Sequence, residues 1–332
     1  MSRGALALLF AIVSAGPLAA ADTGFAPIEV RALPVTDFLR GSSQTQFGAL
    51  RFLGGLELVS KDHAFGSLSG LDFTPDGKTL YAVADTGFWF RATLTADATG
   101  RPTGLADTVI GPVLGDDGKP PQEKIDADAE GLRLVEHDGA LTALVSFEQT
   151  ARVRAFAAPD VAASTPVKVT LPKFVRGIRR NQGLESIAVA PAGSALAGSI
   201  VVIAERSLDA AGNHRGFILS GPQAGTFFIR RSDDFDISDA VFLPDGDLLI
   251  LERRFSFSGG FAMRIRRIAG AAIAAGATVD GPVLMESGSG YQIDNMEGLA
   301  VRPGPAGTTL LTLISDDNNN LLQRTLLLEF VL

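Results

Sequence analysis

Short apolar segments that end in an acidic residue recur five times along the chain. They occupy residues 81–85, 144–148, 201–205, 248–252 and 311–316. A second apolar segment lies upstream of each, and these begin Leu68-Ser-Gly-Leu, Ala129-Glu-Gly-Leu, Leu184-Glu-Ser-Ile, Ile237-Ser-Asp-Ala and Met296-Glu-Gly-Leu. Each segment has the length of a β-strand and is bounded by turn residues, so the pattern predicts five repeated strand pairs.

The repeat length of about 53 to 61 residues is close to that of the four-stranded blades of a β-propeller. Most copies carry a tight-turn signal between their first and second strands, at residues 75–77, 137–139, 191–193 and 244–246. Proline followed by Asp-Gly presets the backbone for such turns. No stretch between the strands has the repeated helices that a Rossmann fold or an α/β barrel requires.

We therefore predict an all-β protein, a six-bladed β-propeller with four-stranded antiparallel blades; five or seven blades are the alternatives. The sixth blade would combine N-terminal strands around residues 28–33 and 50–59 with a C-terminal strand at residues 325–332. Closure by both termini in one blade would remove the exposed sheet edges.

Residues 1–21 have the features of a cleavable secretory signal. Arg3 precedes an apolar run at residues 5–13, and three alanines at 19–21 offer a cleavage site. The run is too short to span a bilayer, and no later segment approaches the roughly 18 apolar residues needed. We expect residues 22–332 to form a single propeller domain that is periplasmic or secreted and not inserted in a membrane. The absence of cysteine suits a bacterial exported protein with a large core.

The net charge of −8 argues against nucleic acid and anionic membrane surfaces as partners. It permits metal cations, and it permits small anionic ligands wherever arginines are concentrated locally. We expect a monomer that acts on a small molecule.

Both columns of acids are expected at the same end of the propeller, because the first strand of a hairpin starts where the second one ends. The inner column comprises Glu130, Glu185, Asp239 and Glu297, and the outer column comprises Asp85, Glu148, Glu205, Glu252 and Asp316. So many carboxylates at one partly buried site repel each other, so they need a cation, neighbouring arginines or raised pKa values.

Hard oxygen ligands of this kind suit calcium. The candidate metal ligands are Glu130, Glu185, Asp239, Glu297, Asp85, Glu148 and Asp316, with Asn181, Asn295 and Asn318 as further oxygen donors. The alternative is that the acids only accept backbone N–H groups and join adjacent blades.

Four arginines close to these acids are candidates for binding an anionic substrate: Arg179, Arg180, Arg206 and Arg253. Guanidinium groups bind phosphate or carboxylate through two parallel hydrogen bonds. The alternative is that they only neutralise the acids. Three scattered histidines do not assemble a nucleophilic triad, so hydrolysis would use a metal-activated water and a carboxylate base, for which Glu205 and Glu252 are the candidates.

From about Phe47 onward the chain resembles the bacterial phytase-like propeller proteins described as having "esterase-like activity of phytase". The resemblance lies in ordered segments at 52–56, 65–70, 145–148, 181–185, 251–254, 294–298, 315–318 and 323–326. It implies a propeller, export and phosphoester hydrolysis, in which calcium held by acids at the channel mouth binds the substrate phosphate.

The leading hypothesis is thus an exported, calcium-dependent phosphoesterase or esterase acting on a small anionic ester at the acidic mouth of the propeller. Two alternatives stay open. One is a calcium-dependent enzyme like the sugar lactonases, which also use propellers, and the other is a non-catalytic binding or scaffold propeller.

Overall fold

The computed structural model describes residues 24–175, 178 and 183–332. The strands, in chain order, are β1 (Ala26–Pro27), β2 (Val30–Val35), β3 (Gln46–Phe47), β4 (Leu50–Ser60), β5 (Leu68–Phe73), β6 (Thr79–Ala84), β7 (Phe88–Ala96), β8 (Pro102–Pro112), β9 (Ala129–His137), β10 (Ala140–Phe147), β11 (Arg152–Ala157), β12 (Val167–Val169), β13 (Leu184–Val189), β14 (Ile200–Leu208), β15 (His214–Ile218), β16 (Gly225–Ile229), β17 (Asp236–Phe242), β18 (Leu248–Ser256), β19 (Gly260–Ile268), β20 (Thr278–Val279), β21 (Val283–Ser287), β22 (Asn295–Pro303), β23 (Thr309–Asp316) and β24 (Thr325–Val331).

Helical structure in the described residues is confined to single turns. These are one α-helical turn, α1 (Lys124–Ala127), and the 3₁₀ turns Val161–Ala163, Lys173–Val175, Gly270–Ala272 and Pro305–Gly307. No helix in this part of the chain has the length and hydropathy needed to cross a membrane.

The strands of the described residues form five sheets, which we call blades I to V. From the innermost strand outward, blade I is β5-β6-β7-β8-β1 and blade II is β9-β10-β11-β12. Blade III is β13-β14-β15-β16-β20, and blade IV is β17-β18-β19-β21. Blade V is β22-β23-β24-β4-β2, with β3 attached to β4. Neighbouring strands are antiparallel except β16 and β20. The prediction of an all-β propeller with antiparallel blades is confirmed.

The blades form a ring because every neighbouring pair shares a hydrophobic core. For example, Trp89 of blade I packs with Val145 of blade II, and Leu249 of blade IV packs with Leu313 of blade V. Three further clusters lie between blades II and III, III and IV, and V and I. The innermost strands contact one another in the same cyclic order. Strands buried on both faces explain why apolar runs replace strict alternation in the sequence.

The prediction of six blades is wrong. Strand β4, which was expected to help build a separate blade, pairs with β24, and β24 pairs with β23. The N-terminal strands therefore complete the same sheet as the fifth repeat. A repeat count could not distinguish these cases, because pairing between β4 and β24 joins the two ends of the chain.

The prediction of a tight turn between first and second strands is confirmed in blade II, whereas in blade III the connection from Val189 to Ile200 is longer than predicted. In blade II, Asp138 and Gly139 both have positive φ, at 51° and 75°. This places them in the two-residue turn whose twist matches that of the flanking strands. Strand β9 therefore ends at His137 and β10 begins at Ala140.

Arg133 lies at the centre of the ring and joins several blades. It is buried, and its guanidinium donates hydrogen bonds to the carbonyl oxygens of Leu71, Ala240 and Leu299, which belong to blades I, IV and V. It also donates to Asp239 Oδ1 at 2.9 Å. This buried cation crosses the axis away from the acidic end and supports the inner strands from within.

Candidate functional site

Each innermost strand has a β-bulge near its start, and the bulge determines which side chain enters the channel. In blade III, Leu184 pairs with Ala204 and Ser186 with Ile203, so Glu185 is the extra residue. The equivalent positions in the other blades are Ser69, Glu130, Ser238 and Glu297. A bulge re-aims a side chain that regular pairing would place elsewhere. Three of the five blades thereby direct a glutamate toward the axis.

These glutamates line a cavity of about 830 Å³ at one end of the ring. The lining contains eight carboxylates, from Asp85, Asp128, Glu130, Glu148, Glu185, Glu205, Glu297 and Asp316. It contains two cations, Lys124 and Arg253. Its volume lies within the range that small-molecule sites occupy.

Five of the carboxylates form two clusters that share one member. Oxygens of Asp128, Glu130 and Glu148 lie within 4.8 Å of one another, and so do oxygens of Glu148, Glu185 and Glu205. Two ionised groups about 4 Å apart repel by roughly 4 kcal/mol at an effective dielectric constant of about 20. Both clusters therefore favour a cation or bound protons.

Local backbone geometry allows Glu148 to occupy this shared position. Gly183, which precedes β13, lies so close to it that an added Cβ would stand 2.1 Å from the Glu148 carbonyl oxygen. Only glycine leaves room for that approach. The Gly-Leu-Glu sequence at 183–185 thus brings Glu185 beside Glu148.

Three buried oxygens of the cavity have no hydrogen-bond partner among the described residues: Asp85 Oδ1, Asp128 Oδ2 and Asn295 Oδ1. Amide oxygens and ionised carboxylate oxygens are acceptors only, so an ionised neighbouring carboxylate cannot satisfy them, and either a protonated acid or a cation is needed. An unpaired buried acceptor costs about 1–3 kcal/mol. Several hard oxygens without donors are the chemistry that a divalent cation such as calcium requires, and the residues present therefore fit such an ion.

Arg253 supplies the positive side of the cavity. Its Nη2 donates to Glu205 Oε1 at 3.1 Å, and its Nε donates to Glu297 Oε2 at 3.1 Å. Asn295 Nδ2 donates to the other oxygen of Glu297 at 2.8 Å. On the opposite side of the cavity, Lys124 Nζ lies 2.7 Å from Asp85.

Burial and mutual repulsion raise the pKa values of these acids. Burial raises the pKa of Glu148 to about 7, with Asp128 and Glu205 adding to the effect. Burial also raises the pKa of Asp316 to about 7 and that of Glu297 to about 8, although Arg253 partly offsets the rise for Glu297. The pKa of Glu185 is raised well above its ordinary value, by burial first and then by Glu130. Without a cation, several of these groups hold protons at neutral pH.

A family model described as "Phytase-like: Esterase-like activity of phytase" matches residues 63–319, which is more than half of the chain. The chain belongs to this phytase-like family. The matched range begins before the first inner strand of the propeller and ends after Asp316, so it includes every carboxylate of the cavity. No curated protein sequence matches this phytase-like chain.

Solved structures with a similar arrangement include a thermostable family-43 glycoside hydrolase, at 10% identity and a TM-score of 0.47, covering 79% of this chain and 88% of that one. A GH62 α-L-arabinofuranosidase catalytic domain from Coprinopsis cinerea is 10% identical with a TM-score of 0.45, covering 90% and 98%. A putative oxidoreductase (glucose dehydrogenase) from Thermus thermophilus is 14% identical with a TM-score of 0.37, covering 91% and 100%. At these identities and TM-scores the similarities do not indicate an activity of the phytase-like chain.

The phytase-like cavity brings together most of the acids that the sequence singled out. Six of the seven candidate metal ligands line it: Asp85, Glu130, Glu148, Glu185, Glu297 and Asp316. Of the two candidate bases, Glu205 lines it and Glu252 does not. Asn295 and Asn318 line it as well.

Asp239 and Glu252 lie elsewhere, and the assignments of these two residues are corrected by the register of blade IV. Position 238, not 239, is the bulged residue, so Asp239 points away and accepts hydrogen bonds from Arg133 and from the backbone of Ala240 and Leu299. Glu252 pairs directly with Ile237 near the start of the inner strand. In the other blades the acid lies one residue further along the second strand than the residue in this paired position. A shift of one residue moves a side chain to the opposite face of a strand.

Glu252 is instead fully buried between two arginines. Arg264 Nε donates to its Oε2 at 2.6 Å, and Arg266 Nη2 donates to its Oε1 at 2.6 Å. Both carboxylate oxygens are thus occupied within the blade. At the place on the second strand where the other four blades have a carboxylate, blade IV has Arg253, which pairs with Asp236.

The arginine predictions have different outcomes. Arg253 lines the cavity, whereas Arg206 does not; its side chain is largely exposed and donates to Asp236 at 2.9 Å. Arg179 and Arg180 lie outside the described residues, as do Asn181 and the predicted signal segment at 1–21.

Sequence reasoning missed Asp128 and Lys124. Asp128 precedes β9 by one residue, where Glu148 donates its backbone N–H to the Asp128 carbonyl oxygen. The equivalent residue in blade V is Asn295, which pairs with Asp316. Comparing the residue before each inner strand would have identified Asp128, whereas Lys124 lies in α1, which has no counterpart in the repeat.

Proposed function

We propose that the protein is a metal-dependent hydrolase of small anionic esters, with calcium as the cation and a phosphoester as the substrate. The observation that carries the proposal is the pair of carboxylate clusters that share Glu148 and lie in one cavity with Arg253. Unpaired oxygens on Asp85, Asp128 and Asn295 support a cation there, and membership of the phytase-like family supports ester hydrolysis.

In this proposal Asp128, Glu130, Glu148 and Glu185 hold the cation, with Asn295 as a further oxygen donor. A bound calcium ion supplies electrostatic stabilisation to the negative charge of a phosphate ester. Arg253 adds a guanidinium at the wall of the same cavity, and we assign it to the anionic group of the substrate.

Glu205 is the candidate general base. It belongs to the second cluster and also contacts Arg253, so it faces both the cation ligands and the anion-binding group. A base must lie within hydrogen-bond reach of the proton that it takes, and this position between the metal ligands and the anion site is why we assign the role to Glu205. Glu297, which accepts a hydrogen bond from Asn295, orients Arg253 from its other side.

The decisive experiment is calorimetric titration of chelator-treated protein with calcium, followed by hydrolysis assays on an aryl phosphate. We expect calcium to bind and phosphate release to depend on it. Glu148→Gln should weaken calcium binding at least tenfold, because both clusters lose the same carboxylate. Glu136→Gln is the matched control, since Glu136 is exposed on β9 and outside the cavity.

Turnover of lactones but not of phosphate esters would favour the lactonase alternative. Calcium binding without turnover of any ester in a broad panel would leave a binding or scaffold propeller. Failure of calcium, magnesium and manganese to bind would overturn the proposal altogether.

We further propose that residues 1–21 are removed during export. Cell fractionation combined with N-terminal sequencing of the mature protein tests this directly. A chain retained in the cytoplasm with Met1 intact would contradict it.

A further inference from the structure

One wall of the acidic cavity is apolar. Phe255 of β18, Phe261 of β19 and Leu322 of the segment between β23 and β24 line it together with the carboxylates. We call these three residues the apolar rim. Phe255 is 54% exposed and Leu322 is 90% exposed, so the rim presents hydrophobic surface at the cavity.

The rim is held in place by blade IV. Phe255 pairs directly with Phe261 across β18 and β19, and their ring centroids are 5.0 Å apart. This is the cross-strand aromatic contact that stabilises antiparallel pairs. The ring of Phe255 therefore has a defined position although half of its surface is exposed.

Phe255 and Arg253 share a face of β18 because they are two residues apart. Both line the cavity. Two residues along a strand span about 7 Å of backbone, so a charged and an aromatic side chain leave β18 next to each other on this face. The cavity thus combines a site for negative charge with a site for an apolar group.

We propose that the apolar rim binds the hydrophobic part of the substrate, so that the substrate class is an aryl or alkyl ester carrying one anionic group. This inference rests on the proposed anion site at Arg253. Large apolar side chains grouped at a cavity mark a binding surface, whereas a single exposed leucine does not. A substrate with charge on all sides, such as a polyphosphorylated ring, would leave Phe255 and Leu322 without a partner.

The test compares two non-hydrolysable probes, phenylphosphonate and methylphosphonate, by calorimetry on the calcium-treated full chain. They carry the same anionic group and differ in apolar size. We expect phenylphosphonate to bind roughly tenfold or more tightly, as burial of a phenyl ring predicts. Leu322→Ala and Phe255→Ala should each reduce that ratio at least threefold and leave methylphosphonate affinity unchanged.

Leu321→Ala is the matched control. Leu321 is adjacent to Leu322 and is fully exposed, but it does not line the cavity. The control should leave the ratio unchanged. Equal losses in Leu321→Ala and Leu322→Ala would overturn the proposal and point to a general hydrophobic surface instead.

Equal affinities of the two probes for the unaltered protein would also overturn the proposal that the apolar rim binds part of the substrate, while the proposed function would stand. Absence of binding by both probes would instead remove the anion site on which the proposed function and the rim both depend. The two failures are therefore distinguishable.

Discussion

Arg253 Nη2 lies 3.1 Å from Glu205 Oε1, and this contact connects the carboxylate clusters to the cavity's guanidinium. Arg253 occupies the place that an acid occupies in the other four blades, because blade IV contributes an arginine where β18 pairs with Asp236. Eight carboxylates against the two cations Arg253 and Lys124 would leave the site strongly negative. The arrangement therefore favours a bound metal together with an anionic ligand.

Replacing Arg253 with lysine should reduce kcat/KM for an aryl phosphate by roughly 10- to 100-fold. Lysine keeps the charge but loses the planar pair of donors, and a charge-assisted hydrogen bond contributes about 1.5–3 kcal/mol. Steady-state kinetics at saturating calcium measure the effect. Arg206→Lys is the control, because Arg206 lies outside the cavity. Equal losses in both variants would contradict the assigned role of Arg253.

Replacing Glu185 with glutamine should weaken calcium binding at least tenfold while changing the stability of the metal-free protein at pH 7 by less than about 1 kcal/mol. Burial and neighbouring acids raise the pKa of Glu185 well above its ordinary value, which favours the neutral form that glutamine resembles. The bound cation, by contrast, loses a ligand charge. Urea denaturation with chelator and calorimetric titration provide the two measurements. A large loss of metal-free stability would indicate a structural role instead.

Stability of the metal-free protein should fall as pH rises from about 5 to 8. Folding raises the pKa of Glu148 and Asp316 to about 7 and that of Glu297 to about 8, from ordinary values near 4 to 4.5. The folded state therefore binds more protons than the unfolded state in this window. The stability that these protons contribute is present at low pH and is lost as the pH passes 7 to 8.

Melting temperatures measured with chelator across this pH range test whether the stability falls as the pH rises. Calcium should raise Tm more at pH 8 than at pH 5, because the ionised acids need the cation. Glu297→Gln should have a shallower decline with pH than the unaltered protein. A Tm that rises from pH 5 to 8 in both proteins would rule out this account.

Replacing Glu252 with glutamine should destabilise the protein without altering the chemistry. Its carboxylate is buried between Arg264 and Arg266, and breaking a buried ion pair costs about 3–5 kcal/mol. Urea denaturation should reveal that loss, while kcat/KM measured well below the melting temperature should stay near that of the unaltered protein. Glu205→Gln should lower kcat/KM and leave the stability measured by urea denaturation near that of the unaltered protein. A catalytic defect in Glu252→Gln without loss of stability would restore it as a candidate base.

Repetition made much of this architecture predictable from the sequence. The recurring strand pairs indicated the inner and second strands of every blade, and their acidic ends indicated one acidic mouth. Glu130, Glu185 and Glu297 meet there because strand direction alone decides at which end of a ring a strand begins. Export, by contrast, stays a prediction from residues 1–21.

Three features depended on tertiary structure. Blade number was decided by the pairing of β4 with β24, a contact between distant parts of the chain that no local pattern encodes. The exclusion of Asp239 and Glu252 was decided by a one-residue difference of register in blade IV, which reverses the face of a side chain. The shared position of Glu148 was decided by how closely Gly183 of the next blade approaches its backbone. Composition and spacing along the chain determine which strands form, whereas contacts between blades determine which side chains meet.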